Sequence, residues 1–154
     1  MPTFCYKTEQ FLPIEIYKSW DFFSSPANLT IITPPELDLV ILPGQDSKEI
    51  YEGMMINYTV KPLLSFRLNW KTEICKVKKP LLFIDRQLKG PYKFWEHTHT
   101  FIERPGGVMV KDEVKYKLPY GVIGIAIHSL IIRHKIENIF TYRKNVLNKL
   151  FVHN

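Results

Sequence analysis

Residues 107 to 117, GVMVKDEVKYK, alternate apolar and charged side chains almost without exception. Val108, Val110, Val114 and Tyr116 fall on one face of an extended chain, broken only by Asp112, while Lys111, Glu113, Lys115 and Lys117 share the other with Met109. Successive side chains of a strand point to opposite faces, so the pattern predicts a half-buried strand of an antiparallel sheet. The segment before it, KFWEHTHTFIE, has the same period and places Trp95, His97, His99 and Phe101 at every second position. RPGG between the two runs is a turn signal, and the pair predicts a hairpin. A turn centred on Gly106 and Gly107 sets His99 opposite Val114 and Phe101 opposite Asp112; one centred on Pro105 and Gly106 sets His99 opposite Asp112. Both registers bring the two mixed faces to the same side, whereas a one-residue slip would match the histidines with lysines. His97, His99, Asp112 and Tyr116 are therefore predicted to share one concave, mostly apolar face.

The rest of the chain follows the same logic. Residues 3 to 12 predict a first strand, stopped by Pro13. Ile14, Tyr17, Trp20 and Phe23 lie three apart and predict one stripe of a short helix. Ser25 before Pro26 predicts the capped start of a second, ended by Pro34 and Pro35. LDLVIL, MMINYTV, SFRLNWKTEIC and LLFIDRQL then read as strands ahead of the hairpin, with Trp70, Thr72 and Ile74 facing in and Lys71 and Glu73 out. Links such as VKKP and KGPY are too short for parallel crossovers. Residues 121 to 151 lack proline and predict a helix of about 28 residues, roughly 42 Å long. The fold class is α+β: two short helices after the first strand, then a seven-stranded antiparallel sheet completed around one long C-terminal helix, in a single domain over 1–154. That helix alone is long enough to cover the sheet, and a sheet curled around it leaves an internal hydrophobic cavity.

Charge and composition narrow the partners. The net charge is +6, from 21 Lys and Arg against 15 Asp and Glu. The basic residues are scattered, densest at Lys71, Lys76, Lys78 and Lys79, and no nucleic-acid motif occurs, so no nucleic-acid partner is expected. Cys5 and Cys75 are far apart in strand-like runs and read as small apolar fillers of a protein in a reducing, cytoplasmic compartment. The opening residues lack a signal-peptide pattern. The longest apolar run, GVIGIAIHSLII, is 12 residues, too short to span a bilayer, so no stable membrane insertion is expected. A membrane-surface role for this helix is set aside because its apolar residues are needed over the sheet. The expected assembly is a monomer or weak homodimer.

The chemistry concentrates on the histidine face. A carboxylate beside an imidazole satisfies both groups and fixes the tautomer. The expected site binds a small hydrophobic ligand through Trp70, Trp95, Phe101, Val110 and Val114, with His97, His99, Asp112 and Tyr116 at its polar end. Asp85 and Gln87 join the candidates, although the KGPY turn leaves open whether they or Arg86 point inward. An alternative is an enzyme using His97 or His99 as general base, tuned by Asp112. His97, His99 and Glu103 have HxHxxxE metal-ligand spacing, but Gly90 is one residue too far upstream for the cupin pattern and Glu103 borders the turn, so no metal and no cofactor are expected. His128 and His134 read as packing or surface residues, and Arg133, Arg143 and Lys144 as the solvated side of the helix. No GxSxG, phosphate loop, dinucleotide fingerprint or HExxH occurs.

The stretches WDFFSSPANLTIITPPEL, NWKTEI, FIDRQLKGPYKFWEHTHTF, VKDEVKYKLPYGVIG and IENIFTYR resemble the START / polyketide-cyclase / coenzyme-Q-binding superfamily, the helix-grip or birch-pollen-allergen-like proteins. Within it the chain looks most like a bacterial group of ligand-binding domain proteins. The resemblance implies a sheet gripping the C-terminal helix around a hydrophobic cavity. It also implies binding of a lipid, quinone, isoprenoid or polyketide, in some members with cyclase, dehydratase or hydrolase activity. It carries over no catalytic residue.

Overall fold

A computed structural model describes residues 1–45, 49–61 and 66–153. The order of elements is β1 (Phe4–Leu12), α1 (Ile16–Phe23), two 3₁₀ turns (Pro26–Leu29 and Pro35–Leu37), β2 (Val40–Ile41), β3 (Met55–Val60), β4 (Leu68–Lys78), β5 (Leu82–Lys89), β6 (Phe94–Arg104) and β7 (Gly107–Lys117). The chain ends in α2 (Gly121–Ile127), a π-helical turn (His128–Ile132) and α3 (Arg133–Phe151). One seven-stranded sheet has the order β1-β7-β6-β5-β4-β3-β2, antiparallel throughout. This is the α+β architecture expected. The SFRL and PGQDSKE stretches fall partly outside the described residues.

The β6–β7 hairpin adopts the second of the two registers: His99 lies opposite Asp112, His97 opposite Val114 and Arg104 opposite Gly107. Pro105 and Gly106 form the connection, and Gly106 takes a φ of +82° that a side chain would resist. Gly107 is required by packing instead, since a Cβ there would run into the backbone carbonyl of Leu12.

The inward face of the sheet is buried at Trp70, Thr72 and Ile74 on β4 and at Val108, Val110, Asp112, Val114 and Tyr116 on β7. α3 covers it with Ile136, Phe140, Arg143 and Leu147, spaced four, three and four apart along one stripe. α1 plugs one end of the curled sheet with Trp20, whose ring meets Phe83 and Phe101 edge-on at 5.8 Å each. Around that ring, Leu12, Ile74, Val110 and Leu147 form one core; Val114, Tyr116, Ile136 and Phe140 form a second under the middle of the helix.

Four local expectations differ from the structure. Tyr17 is exposed, because α1 begins at Ile16 and buries Ile16, Ser19 and Trp20 instead. LDLVIL contributes only the two-residue strand Val40–Ile41. Ser25 precedes Pro26 at a 3₁₀ turn but makes no side-chain cap. Cys5 is exposed, as its position alternates outward on β1.

Candidate functional site

Between sheet, 3₁₀ segment and α3 lies a cavity of about 270 Å³. Phe23, Pro26, Leu29 and Ile32 close one side, Ile136, Ile139 and Phe140 another, and Ile56, Ile74 and Phe83 the sheet side. Glu36, Lys135 and Asn138 line it yet are exposed, so they mark its mouth between the 3₁₀ segment and α3. One region is aromatic: Trp70 meets Tyr58, Tyr92 and Trp95 with ring centroids 5.7, 5.6 and 5.4 Å away. Burial pushes the Tyr58 and Tyr92 hydroxyls far above the ordinary tyrosine range, so both stay neutral. Tyr58 Oη lies 3.5 Å from Thr72 Oγ1, while Trp70 Nε1 is buried with no hydrogen-bond partner among the described residues.

The polar region is built by three neighbouring strands and the helix. β5 pairs Asp85 with His97, which settles the open parity: Asp85 points inward and Arg86 outward, where Arg86 binds Glu96 at 2.6 Å. The two imidazoles stack with centroids 3.7 Å apart at 31°. His97 Nε2 bonds Asp112 Oδ1 at 2.7 Å and His99 Nε2 bonds Asp85 Oδ2 at 2.8 Å. The other nitrogens face the opposite carboxylates: His97 Nδ1 lies 3.9 Å from Asp85 Oδ2, and His99 Nδ1 lies 3.1 Å from Asp112 Oδ1 without hydrogen-bonding geometry. From α3, Arg143 brings Nη1 to 3.5 Å from Asp112 Oδ1 and sets its guanidinium over Phe140 at 4.9 Å.

Burial and charge set the protonation of this cluster. Burial, then the neighbouring His99, holds His97 below the ordinary histidine value, and its bond to Asp112 offsets only part of this. Burial also opposes a charge on His99, but Asp112 and Asp85 outweigh it and raise His99 above the ordinary value. For Asp112, burial favours the neutral acid, yet His97, His99 and Arg143 overcome it and hold the carboxyl well below its usual range.

Of the sequence-derived candidates, Trp70, Asp85, Trp95, His97 and His99 line the cavity. Asp112 lies behind the histidines. Phe101, Val110, Val114 and Tyr116 face the same side but are spent in the two cores under α1 and α3. Tyr116 bonds His128 Nε2 at 2.8 Å through its hydroxyl, and burial pushes its titration up to about 12. Gln87 closes the β5–β6 turn, donating to Tyr92 O at 2.7 Å and accepting from Tyr92 N at 3.3 Å. Arg143 corrects the sequence reading: it is only 6% exposed and lines the cavity, with Nε and Nη1 buried and making no hydrogen bond among the described residues, Nη1 being held only by its ion pair with Asp112. Its signal was the spacing with Ile136, Phe140 and Leu147, which puts position 143 on the inward stripe despite its charge.

Asp85, His97 and His99 each bring one ligand atom to within 4.8 Å of the others, a donor set that could hold a divalent cation. Glu103 of the HxHxxxE pattern is not with them; it is exposed at the end of β6 opposite Val108.

No protein-family model matches the sequence, and no curated protein matches it. Solved structures match over nearly the whole chain at low identity. Protein CV1439 of Chromobacterium violaceum has a TM-score of 0.71 at 10% identity, covering 96% of each chain. The fold is the helix-grip fold of the birch-pollen-allergen-like proteins. Ginseng major latex-like protein 151 from Panax ginseng matches this helix-grip chain with TM-score 0.69 at 10% identity, covering 97% of each. Norcoclaurine synthase of Thalictrum flavum, solved with dopamine and hydroxybenzaldehyde, matches with TM-score 0.66 at 15% identity over 97% of this chain and 86% of its own.

Proposed function

We propose that the chain binds a small, mostly apolar molecule with one anionic oxygen-bearing end, of the lipid, isoprenoid or polyketide classes. The observation that carries this is Arg143: a buried guanidinium on the wall of a largely apolar cavity, whose Nε and Nη1 make no hydrogen bond among the described residues, although Nη1 is ion-paired with Asp112 at 3.5 Å. An unsatisfied buried donor costs about 1–3 kcal/mol, and more when charged, so an acceptor brought by a ligand relieves it. Trp70 Nε1 is a second unpartnered donor and supports a second acceptor in the aromatic region. Displacement of a fluorescent fatty acid tests the reading. Medium-chain free acids compete and their methyl esters compete at least tenfold more weakly; equal competition, or none by either, rejects it.

A second reading rests on the histidine pair. Two stacked imidazoles are driven in opposite directions, one toward the neutral base and one toward the acid, as acid–base chemistry requires. This supports a cyclase, dehydratase or isomerase in which His97 abstracts a proton and His99 donates one; the likeness to norcoclaurine synthase is compatible with catalysis on this fold. Turnover of a β-keto or polyketide substrate that survives both His97→Ala and His99→Ala rejects these roles.

A further inference from the structure

The first part of the C-terminal helix does not spend its apolar residues on the sheet. Tyr120, Val122, Ile123 and Leu130 are 77%, 82%, 67% and 79% exposed, and Ile131 is exposed beside them. Among the described side chains of residues 121 to 132, only Gly124 and Ile132 are buried. The covering is done further on, by Ile136, Phe140 and Leu147. A contiguous apolar surface of this kind on a small protein marks an interaction site.

Its surroundings carry one sign of charge. No Asp or Glu occurs between Glu113 and Glu137, while Lys115, Lys117, Arg133 and Lys135 do. The β5–β6 turn reaches the same end, because Lys93 N donates to Lys117 O at 3.0 Å and Pro91 and Tyr92 share a small cavity with Pro119 and Tyr120. That turn adds exposed Leu88, Lys89 and Lys93, with no acidic residue between Asp85 and Glu96. The acidic residues at either limit are occupied: Glu96 by Arg86 at 2.6 Å and Glu137 by Arg133 at 3.1 Å.

We propose that this end of the molecule docks on an anionic phospholipid surface. Tyr120, Val122, Ile123 and Leu130 enter the interface, and Lys89, Lys93, Lys117 and Lys135 meet the headgroups. Apolar side chains rimmed by lysines are what a peripheral helix needs to lie in a bilayer surface charged by acidic lipid. No helix among the described residues is long and apolar enough to cross a membrane, so the contact is interfacial. A second copy of the chain fits less well, since a two-fold contact would set the same lysines against one another. Tyr92 and Ile132 line both the small cavity, about 180 Å³, and the large one. The docking face therefore adjoins the ligand space, and an apolar molecule has a short path between lipid and protein.

Sedimentation of the full chain with vesicles tests this at physiological salt. The chain is expected to pellet with vesicles of phosphatidylcholine plus phosphatidylglycerol and not with phosphatidylcholine alone. The exposed substitutions Val122→Asp with Leu130→Asp, and separately Lys93→Glu with Lys117→Glu, each weaken partitioning roughly tenfold or more while thermal unfolding by circular dichroism stays unchanged. Arg143→Met, which alters the ligand cavity and the buried charge cluster but no residue of the docking face, leaves vesicle binding intact, so loss of ligand binding and loss of docking are separable. No pelleting with anionic vesicles, or pelleting indifferent to the aspartates, overturns the proposal. So does a concentration-dependent dimer that the aspartates abolish, which would assign the face to a second copy.

Discussion

Asp112 stands directly across the ladder from His99, yet its 2.7 Å hydrogen bond goes to His97. Asp85 mirrors it, standing across from His97 and bonding His99 at 2.8 Å. The two crossed bonds hold the imidazoles together, tilted at 31° with centroids 3.7 Å apart, and tie three strands through their side chains. Of the two imidazoles, the surroundings favour the proton on His99 and disfavour it on His97. Such a cluster is expensive to break and sensitive to proton count.

The two histidines should titrate in opposite directions. Nitrogen-15 NMR of the ring atoms is expected to find His99 protonated above the ordinary histidine value and His97 neutral below it. The sign for stability follows. A raised His99 stabilises the fold fully below about pH 6.5 and the contribution is lost as pH rises through its folded value; a lowered His97 opposes protonation on the acid side. Denaturant unfolding from roughly pH 5 to 9 should lose stability on the alkaline side in the wild type and not in His99→Gln. Identical profiles would remove the proton from His99.

Removing Asp112 should be costly out of proportion to its size. Asp112→Asn leaves the buried Arg143 without its countercharge and gives His97 a neutral amide oxygen in place of a carboxylate, a loss of about 3 kcal/mol in urea unfolding. Arg143→Met made together with Asp112→Asn should recover part of that loss, because the uncompensated cation is gone. The acid limb tests the same carboxylate. With its titration held below the usual range, its stabilisation is present above about pH 4 and falls away as pH drops, a dependence Asp112→Asn should blunt.

The β6–β7 connection gives a control far from the cluster. Gly106→Ala forces a Cβ into a φ of +82° where the added carbon meets nothing, so the cost is backbone strain alone, about 1 kcal/mol. Ligand displacement should be unchanged. A variant as stable as the wild type would show the turn relaxing to another form.

What could be read from the chain and what could not have different physical origins. Alternation in 94–117 gave the shared face of His97, His99 and Asp112, because only one parity keeps lysines out of the core. The choice between the two hairpin registers needed the turn backbone, which Pro105 and Gly106 settle. Asp85 depended on register across the KGPY link, where pattern is weak. Arg143 was misread because charge suggests solvent, although its helical position does not. Phe101, Val110 and Val114 share the predicted face but lie under helices, and no strand pattern tells which part of a concave face a helix will cover. The exposed Val122, Ile123, Leu130 and Ile131 were assigned to covering the sheet for the same reason, since helix length alone does not say where contact begins.

The guanidinium of Arg143 should decide ligand class rather than ligand size. Arg143→Met keeps an unbranched apolar stem in the wall while deleting the buried donors and the guanidinium's contact with Phe140. A medium-chain carboxylate should then bind about a hundredfold more weakly, as expected for loss of a charge-assisted bond in a dry site, while its methyl ester changes by less than about threefold. Arg143→Lys should restore only part of the affinity, because an ammonium cannot reproduce the planar array of donors. Isothermal titration with the acid and ester separates the outcomes. If acid and ester weaken together, Arg143 holds the wall of the cavity in place and does not read the ligand.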